Sequence, residues 1–154
     1  MGKSYEEIRN GAHIFKNATY FLDSIGNIGL NLPEGHTNKM ALSQMMIPTI
    51  VFKAFTCELT LKALVAKNQQ SVDIGHKLNV LYQKIDKTIQ QEISTSVIAA
   101  MQTSNPAYSD ADFLEDLDKI AKVFIDWRYY YENSQSLNYA FFDSFYNIVI
   151  KYLQ

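Results

Sequence analysis

The fold this sequence predicts is an all-α bundle of five or six helices. Three observations predict it. Apolar residues recur at helical spacing through most of the chain. No segment shows convincing strand alternation, and no internal repeat is visible. Three prolines and six glycines in 154 residues are too few for a disordered or loop-dominated chain. At that length one domain, residues 1–154, is expected to enclose a real core.

Ser4 and Glu7 make a capping-box pattern at the head of a first helix. Tyr5, Ile8, Ala12, Phe15, Thr19 and Leu22 then recur at helical spacing to about Asp23. Residues 24–38 hold Gly26, Gly29, Pro33 and Gly35 and read as a loop. That is long for a compact domain, so the segment is a candidate for mobility or function, with an ordinary surface excursion the simpler reading. Lys39 to Ile47 is apolar and reads as helix; Pro48 either kinks it or sits in the first turn of the next.

That next helix, Pro48 to Lys67, is apolar on almost every side and should lie at the centre of the bundle. On its wheel Lys53, Thr56, Thr60 and Lys67 share one side, the expected solvent stripe. Glu58 and Lys62 fall roughly opposite, among Val51, Ala54, Leu61 and Val65. A carboxylate on a buried face is costly unless paired.

Asn68 to Gly75 is a polar connection, and Leu78, Leu81, Tyr82 and Ile85 mark a short third helix. Asp86 caps a fourth, with Ile89, Ile93, Val97, Ala100 and Met101 on one face. The stretch 103–110 breaks at Pro106, and Ser109 or Asp110 caps a fifth helix. Its stripe is Phe113, Leu117, Ile120, Phe124, Trp127 and Tyr131. A last helix runs from about Leu137 to Leu153, with Phe141, Phe145, Ile148, Val149 and Tyr152 inward.

Composition narrows the function. A net charge of −2 argues against a strongly basic nucleic-acid footprint. Arg9 and Arg128 are the two arginines, so forked guanidinium grip on phosphate is scarce, although twelve lysines leave room for a local patch. Cys57 is the single cysteine and reads as a small buried apolar residue, with a reactive thiol the lesser reading. The polar, acidic start lacks the pattern of a secretory signal, and Glu6 stands where a myristoylation signal wants Ser or Thr. No apolar run approaches the ~18 residues of a membrane span. A cytoplasmic protein without membrane contact is expected.

Arg128 falls about 60° from Phe113 on the fifth helix, in or beside its apolar stripe, with Glu132 one turn on. One of two arginines and Glu58 both point inward, and the economical expectation is that they meet as a paired guanidinium and carboxylate.

Three motifs now carry a resemblance. GluLeuThrLeuLysAlaLeu from Glu58 to Leu64, GlyHisLysLeu from Gly75 to Leu78 with Leu81 behind it, and TrpArgTyrTyrTyrGlu from Trp127 to Glu132 resemble the bacterial HEPN domains in order and spacing. The likeness spans most of the chain from about Pro48. It implies an antiparallel bundle, commonly a homodimer, in a superfamily of RNA-cleaving toxins, phage-defence proteins and non-catalytic RNA- or nucleotide-binding members. Active HEPN nucleases carry an arginine, four to six residues, then a histidine late in the chain. Here no histidine follows His76, and Arg9 with His13 has the wrong spacing in the wrong helix.

The expected function is therefore a non-catalytic HEPN-like module that dimerises and binds a protein or nucleic-acid partner, in a toxin–antitoxin or phage-defence setting. The alternative is a divergent, metal-independent ribonuclease, with Arg128, Glu132, Glu58 and His76 as its candidate catalytic residues. Lys62, Tyr129 and Tyr131 are the candidate binding residues. For Glu58, Lys62 and Arg128 a structural polar knot stands beside the pocket reading. His76, after Gly75 at a helix start, reads first as a cap or a loop-packing ring and second as a site residue. The run Tyr129 to Tyr131, with Phe141, Phe142, Phe145 and Tyr146, reads first as core or dimer surface and second as a base-stacking platform. No spacing suggests a metal site, and no cofactor is expected.

Overall fold

A computed structural model describes residues 4–68, 75–128 and 137–153, with Asn68 and Arg128 described in their backbone alone. It is all-α, and no strand occurs among the described residues. The elements are α1 (Tyr5–Asn31), α2 (Lys39–Ser43), α3 (Met46–Asn68), α4 (Leu78–Lys84), α5 (Lys87–Gln102), α6 (Asp110–Lys119), α7 (Val123–Arg128) and α8 (Tyr139–Val149), closed by a 3₁₀ turn, Ile150–Leu153. Among the described residues no helix is long and apolar enough to cross a membrane.

Local chemistry explains the helix starts. Ser4 and Glu7 close the expected capping box, and Ser109 closes a second one with Asp112. Asp86 accepts from the Thr88 amide and Asn138 from that of Phe141. Pro48 is the third residue of α3, in its first turn, where its missing N–H leaves no bond unmade.

Central α3 packs against α1, α4, α7 and α8. Its buried residues, among them Ala54, Cys57, Leu61 and Val65, join Phe113, Phe141, Phe142, Phe145 and Val149 in one core. Phe15 of α1 meets Phe55 edge-on at 4.4 Å, and Phe55 stacks on Phe124 of α7 at 4.9 Å.

The structure corrects three expectations. The loop placed at 24–38 is helix as far as Asn31, leaving only 32–38 outside it. Gly26 and Gly29 act as packing surfaces here: both are buried, and a Cβ on Gly29 would lie 2.4 Å from the Ser43 amide nitrogen. The expected solvent stripe of α3 is also buried at Lys53, Thr56 and Thr60, because α1 and α8 cover it. Thr56 and Thr60 donate to the carbonyls of Phe52 and Thr56 and so need no water. Of that stripe only Lys67 is exposed. Finally, the single fifth helix is two, α6 and α7. The turn between them forms where the Ala121 carbonyl accepts from the Leu78 amide at 2.9 Å, a bond to α4 instead of one along its own helix.

Candidate functional site

Glu58 is 1% exposed on α3. Its Oε1 accepts from Lys62 Nζ at 2.7 Å, one turn along, and lies 2.9 Å from His76 Nδ1. The same oxygen accepts from Lys62, and a hydrogen bond from His76 to it needs the proton on Nδ1, with Nε2 facing away from Glu58. Glu58 Oε2 is buried without a hydrogen-bond partner among the described residues.

His76 sits just before α4, its side chain 58% exposed. Among the described residues its ring bonds no backbone group, and the loop under which it is expected to pack, residues 69–74, lies outside the described residues. The ring lines a cavity of about 250 Å³ with Gly75, Lys77, Val80, Lys122 and Ile125. A second cavity of about 310 Å³ shares Lys77 and Lys122 and adds Asn79, Asp118, Lys119, Ala121 and Asp126. Two hydrogen bonds fix the walls: Leu78 N to Ala121 O at 2.9 Å, and Asn79 Nδ2 to Asp118 Oδ1 at 2.7 Å. Lys119 is engaged by Glu115 at 2.8 Å, a bond that holds its pKa above the ordinary value. Lys77 and Lys122 have no ion pair among the described residues. The floor of the first cavity is thus apolar, with Lys77 and Lys122 on its rim and an imidazole at its edge, while Asp118 and Asp126 line the second.

The sequence-derived candidates divide accordingly. Glu58, Lys62 and His76 come together. The Arg128 backbone ends α7, but its side chain, and all of Tyr129, Tyr131 and Glu132, lie outside the described residues, and the expected Glu58–Arg128 pair with them. The partners found for Glu58 are Lys62 and His76. Of the other pocket residues, Lys77 stands inside the GlyHisLysLeu motif without being named as a site residue, and nothing in local spacing marks Val80, Lys122 or Ile125.

A second polar centre surrounds Lys53, which the helix wheel places on the solvent side. Its ammonium is 2.8 Å from Asp143 Oδ1 and 2.9 Å from Asp23 Oδ2, donates to Tyr139 at 3.1 Å, and lies 5.4 Å from the Tyr146 ring centre. Burial opposes its charge, yet the hydrogen bonds to Asp143, Asp23 and Tyr139 outweigh burial and hold its pKa well above the usual lysine value. Neighbouring Cys57 is fully buried, and burial pushes its thiol far up, so the inert reading of that residue stands. This centre ties α1, α3 and α8 together. Among the described residues no three His, Cys, Asp or Glu side chains converge as metal ligands.

No protein-family model, no curated protein and no solved structure matches this chain.

Proposed function

We propose that this chain is a HEPN-like helical module that works as a homodimer and binds single-stranded RNA, taking one nucleotide at the His76 pocket. The observation that supports it most is the exposed His76 ring over an apolar floor, between Lys77 and Lys122, which have no ion pair among the described residues. A base can stack on the imidazole and on the Val80 and Ile125 side chains, while Lys77 and Lys122 take the flanking phosphates. At about 250 Å³ the cavity is below the ~300–1,000 Å³ of a drug-sized site and suits a single base.

Fluorescence anisotropy with a short labelled RNA tests this. Lys77→Ala with Lys122→Ala should weaken binding about tenfold and flatten the salt dependence, because each lost phosphate contact removes about 0.7 from the slope. Undetectable binding by the parent, or a double variant that binds as the parent does, would overturn the reading.

One observation favours a second reading, metal-independent RNA cleavage. With Nδ1–H directed at Glu58, the outward Nε2 is placed to take the proton of a ribose 2′-hydroxyl. The O2′ would attack phosphorus as the P–O5′ bond breaks, and the 5′-oxygen would leave as a hydroxyl with a proton from solvent, giving a 2′,3′-cyclic phosphate. Cleavage of the same RNA in the presence of a chelator, abolished by His76→Ala, would establish it; uncut RNA would dismiss it.

A further inference from the structure

Exposed apolar side chains are concentrated on one side of the molecule. Of the seven large hydrophobic residues exposed among the described ones, five lie on α1 and a sixth, Met40, on adjoining α2. Ile14, Phe21 and Ile28 are spaced by seven residues and are 67%, 67% and 57% exposed. Seven residues is close to two helical turns, so the three form a line about 21 Å long down the outer face of α1. Tyr20 flanks it, half exposed.

The same face carries no charge. Every exposed position of α1 between Asn10 and Asn31 is Ile, Phe, Tyr, Leu, Asn or Ser. The acid and base of this stretch, Asp23 and Lys16, lie outside that exposed set, and Asp23 turns inward to Lys53. A solvent-facing helix surface is ordinarily where charged residues collect. Their depletion around an apolar line is the signature of an interface core.

The line is also symmetric about its middle. Phe21 has isoleucine seven residues before it and seven after, and small Ala18 and Ser24 three residues to either side. A two-fold axis through Phe21 therefore sets two antiparallel copies of α1 with Phe21 against the partner's Phe21 and Ile14 against the partner's Ile28. An isologous contact needs a surface that complements itself, and an uncharged one brings no like-charge repulsion on pairing. The four side chains expose roughly 500 Å² per chain, so a symmetric pair buries about 1,000 Å² before the surrounding asparagines are counted, the threshold for a specific interface.

We infer that the outer face of α1 is the surface on which a second copy of this chain docks, antiparallel, with Ile14 and Ile28 paired across an axis at Phe21. The inference rests on the homodimer of the proposed function and is independent of the His76 pocket.

Size exclusion with light scattering tests it on the whole chain. The parent is expected at twice 17.6 kDa and Phe21→Lys, which sets two like charges at the axis, at 17.6 kDa with an unchanged circular dichroism spectrum. Ile14→Lys should also give the monomer, and adding Ile28→Glu to it should restore the dimer, because Lys then faces Glu across the axis. A parent of 17.6 kDa overturns both this surface and the homodimer. A dimeric Phe21→Lys variant overturns the surface alone, and failure of the charge pair to rescue Ile14→Lys overturns the antiparallel register.

Discussion

His76 Nδ1 lies 2.9 Å from Glu58 Oε1, the same carboxylate oxygen that takes the Lys62 ammonium at 2.7 Å. Exposure rises steeply across the three side chains, from 1% at Glu58 through 17% at Lys62 to 58% at His76. That gradient decides where the energy sits. Removing one partner of a fully buried pair costs about 3–5 kcal/mol, but here both bases can reach water once the acid is gone. Glu58→Ala should therefore cost about 2 kcal/mol and lower the melting temperature by roughly 4–8 °C. His76→Ala, which removes a half-solvated partner, should cost under about 1 kcal/mol. Thermal melts of the two variants check the order; a larger loss from His76→Ala would mean that the histidine, not the acid, anchors this site.

Lys53 is the more consequential charge. It is 3% exposed and holds Asp23 and Asp143, which belong to different helices. Lys53→Met keeps the packing volume but leaves two carboxylates facing each other without a cation. Both carboxylates are about one-third exposed and can hydrate in part, so the expected loss is about 2–4 kcal/mol by chemical denaturation. The pH dependence follows from the raised folded pKa. A lysine whose folded pKa exceeds its ordinary 10.5 contributes stability that is complete below 10.5 and lost as pH rises through the folded value. The gap between parent and Lys53→Met should stay level from neutral pH to about pH 10 and shrink above it. A gap that stays level above that range as well would assign the loss to packing alone.

Most of the helices were legible in the sequence because they are written in short-range chemistry. Ser4 with Glu7, Asp86 and Ser109 each announce a helix start, and the spacing of Ile93, Val97 and Met101 gives its buried face. What failed was anything needing knowledge of the neighbours. A wheel cannot say that α3 is covered all round, so Lys53 looked like a surface lysine. A glycine reads the same whether it breaks a helix or lets another backbone approach, so Gly26 and Gly29 read as loop in the sequence. Of the site, Glu58 was found because a carboxylate among apolar residues is conspicuous, and His76 through its motif. Lys122 and Ile125 reach the pocket only because the Ala121 carbonyl turns to Leu78, a long-range bond with no local signature.

The glycines of α1 allow a comparison of opposite signs. A Cβ on Gly29 would stand 2.4 Å from Ser43 N and 2.6 Å from the Leu42 carbonyl carbon, both backbone atoms, so α2 would have to move. Gly29→Ala should cost about 2–3 kcal/mol. A Cβ on Gly11 would meet only Leu59 Cδ1, at an ordinary 3.5 Å. Gly11→Ala should gain about 0.5–1 kcal/mol from helix propensity. Denaturant melts of both variants settle the matter. If Gly29→Ala proves neutral, the close approach of α1 and α2 is wrong.

Asp112 is a reporter for the start of α6. Ser109 donates to its Oδ2 twice, from Oγ at 2.6 Å and from the backbone amide at 2.8 Å, and these bonds hold its carboxyl below the ordinary 3.8. Hydrogen bonds to the charged form favour that form, so folding draws a proton off this group in the acid range. The sign follows: the contribution is complete above 3.8 and is lost as pH falls through the lower folded value. Asp112→Asn removes the charge but keeps an acceptor. It should melt below the parent at neutral pH, and the two curves should converge as melts are taken down to about pH 2. A difference that stays constant across that range would show that the amide and carboxylate cap α6 differently for steric reasons. A difference that widens on acidification would contradict the assigned direction of the shift and the double donation from Ser109 that causes it.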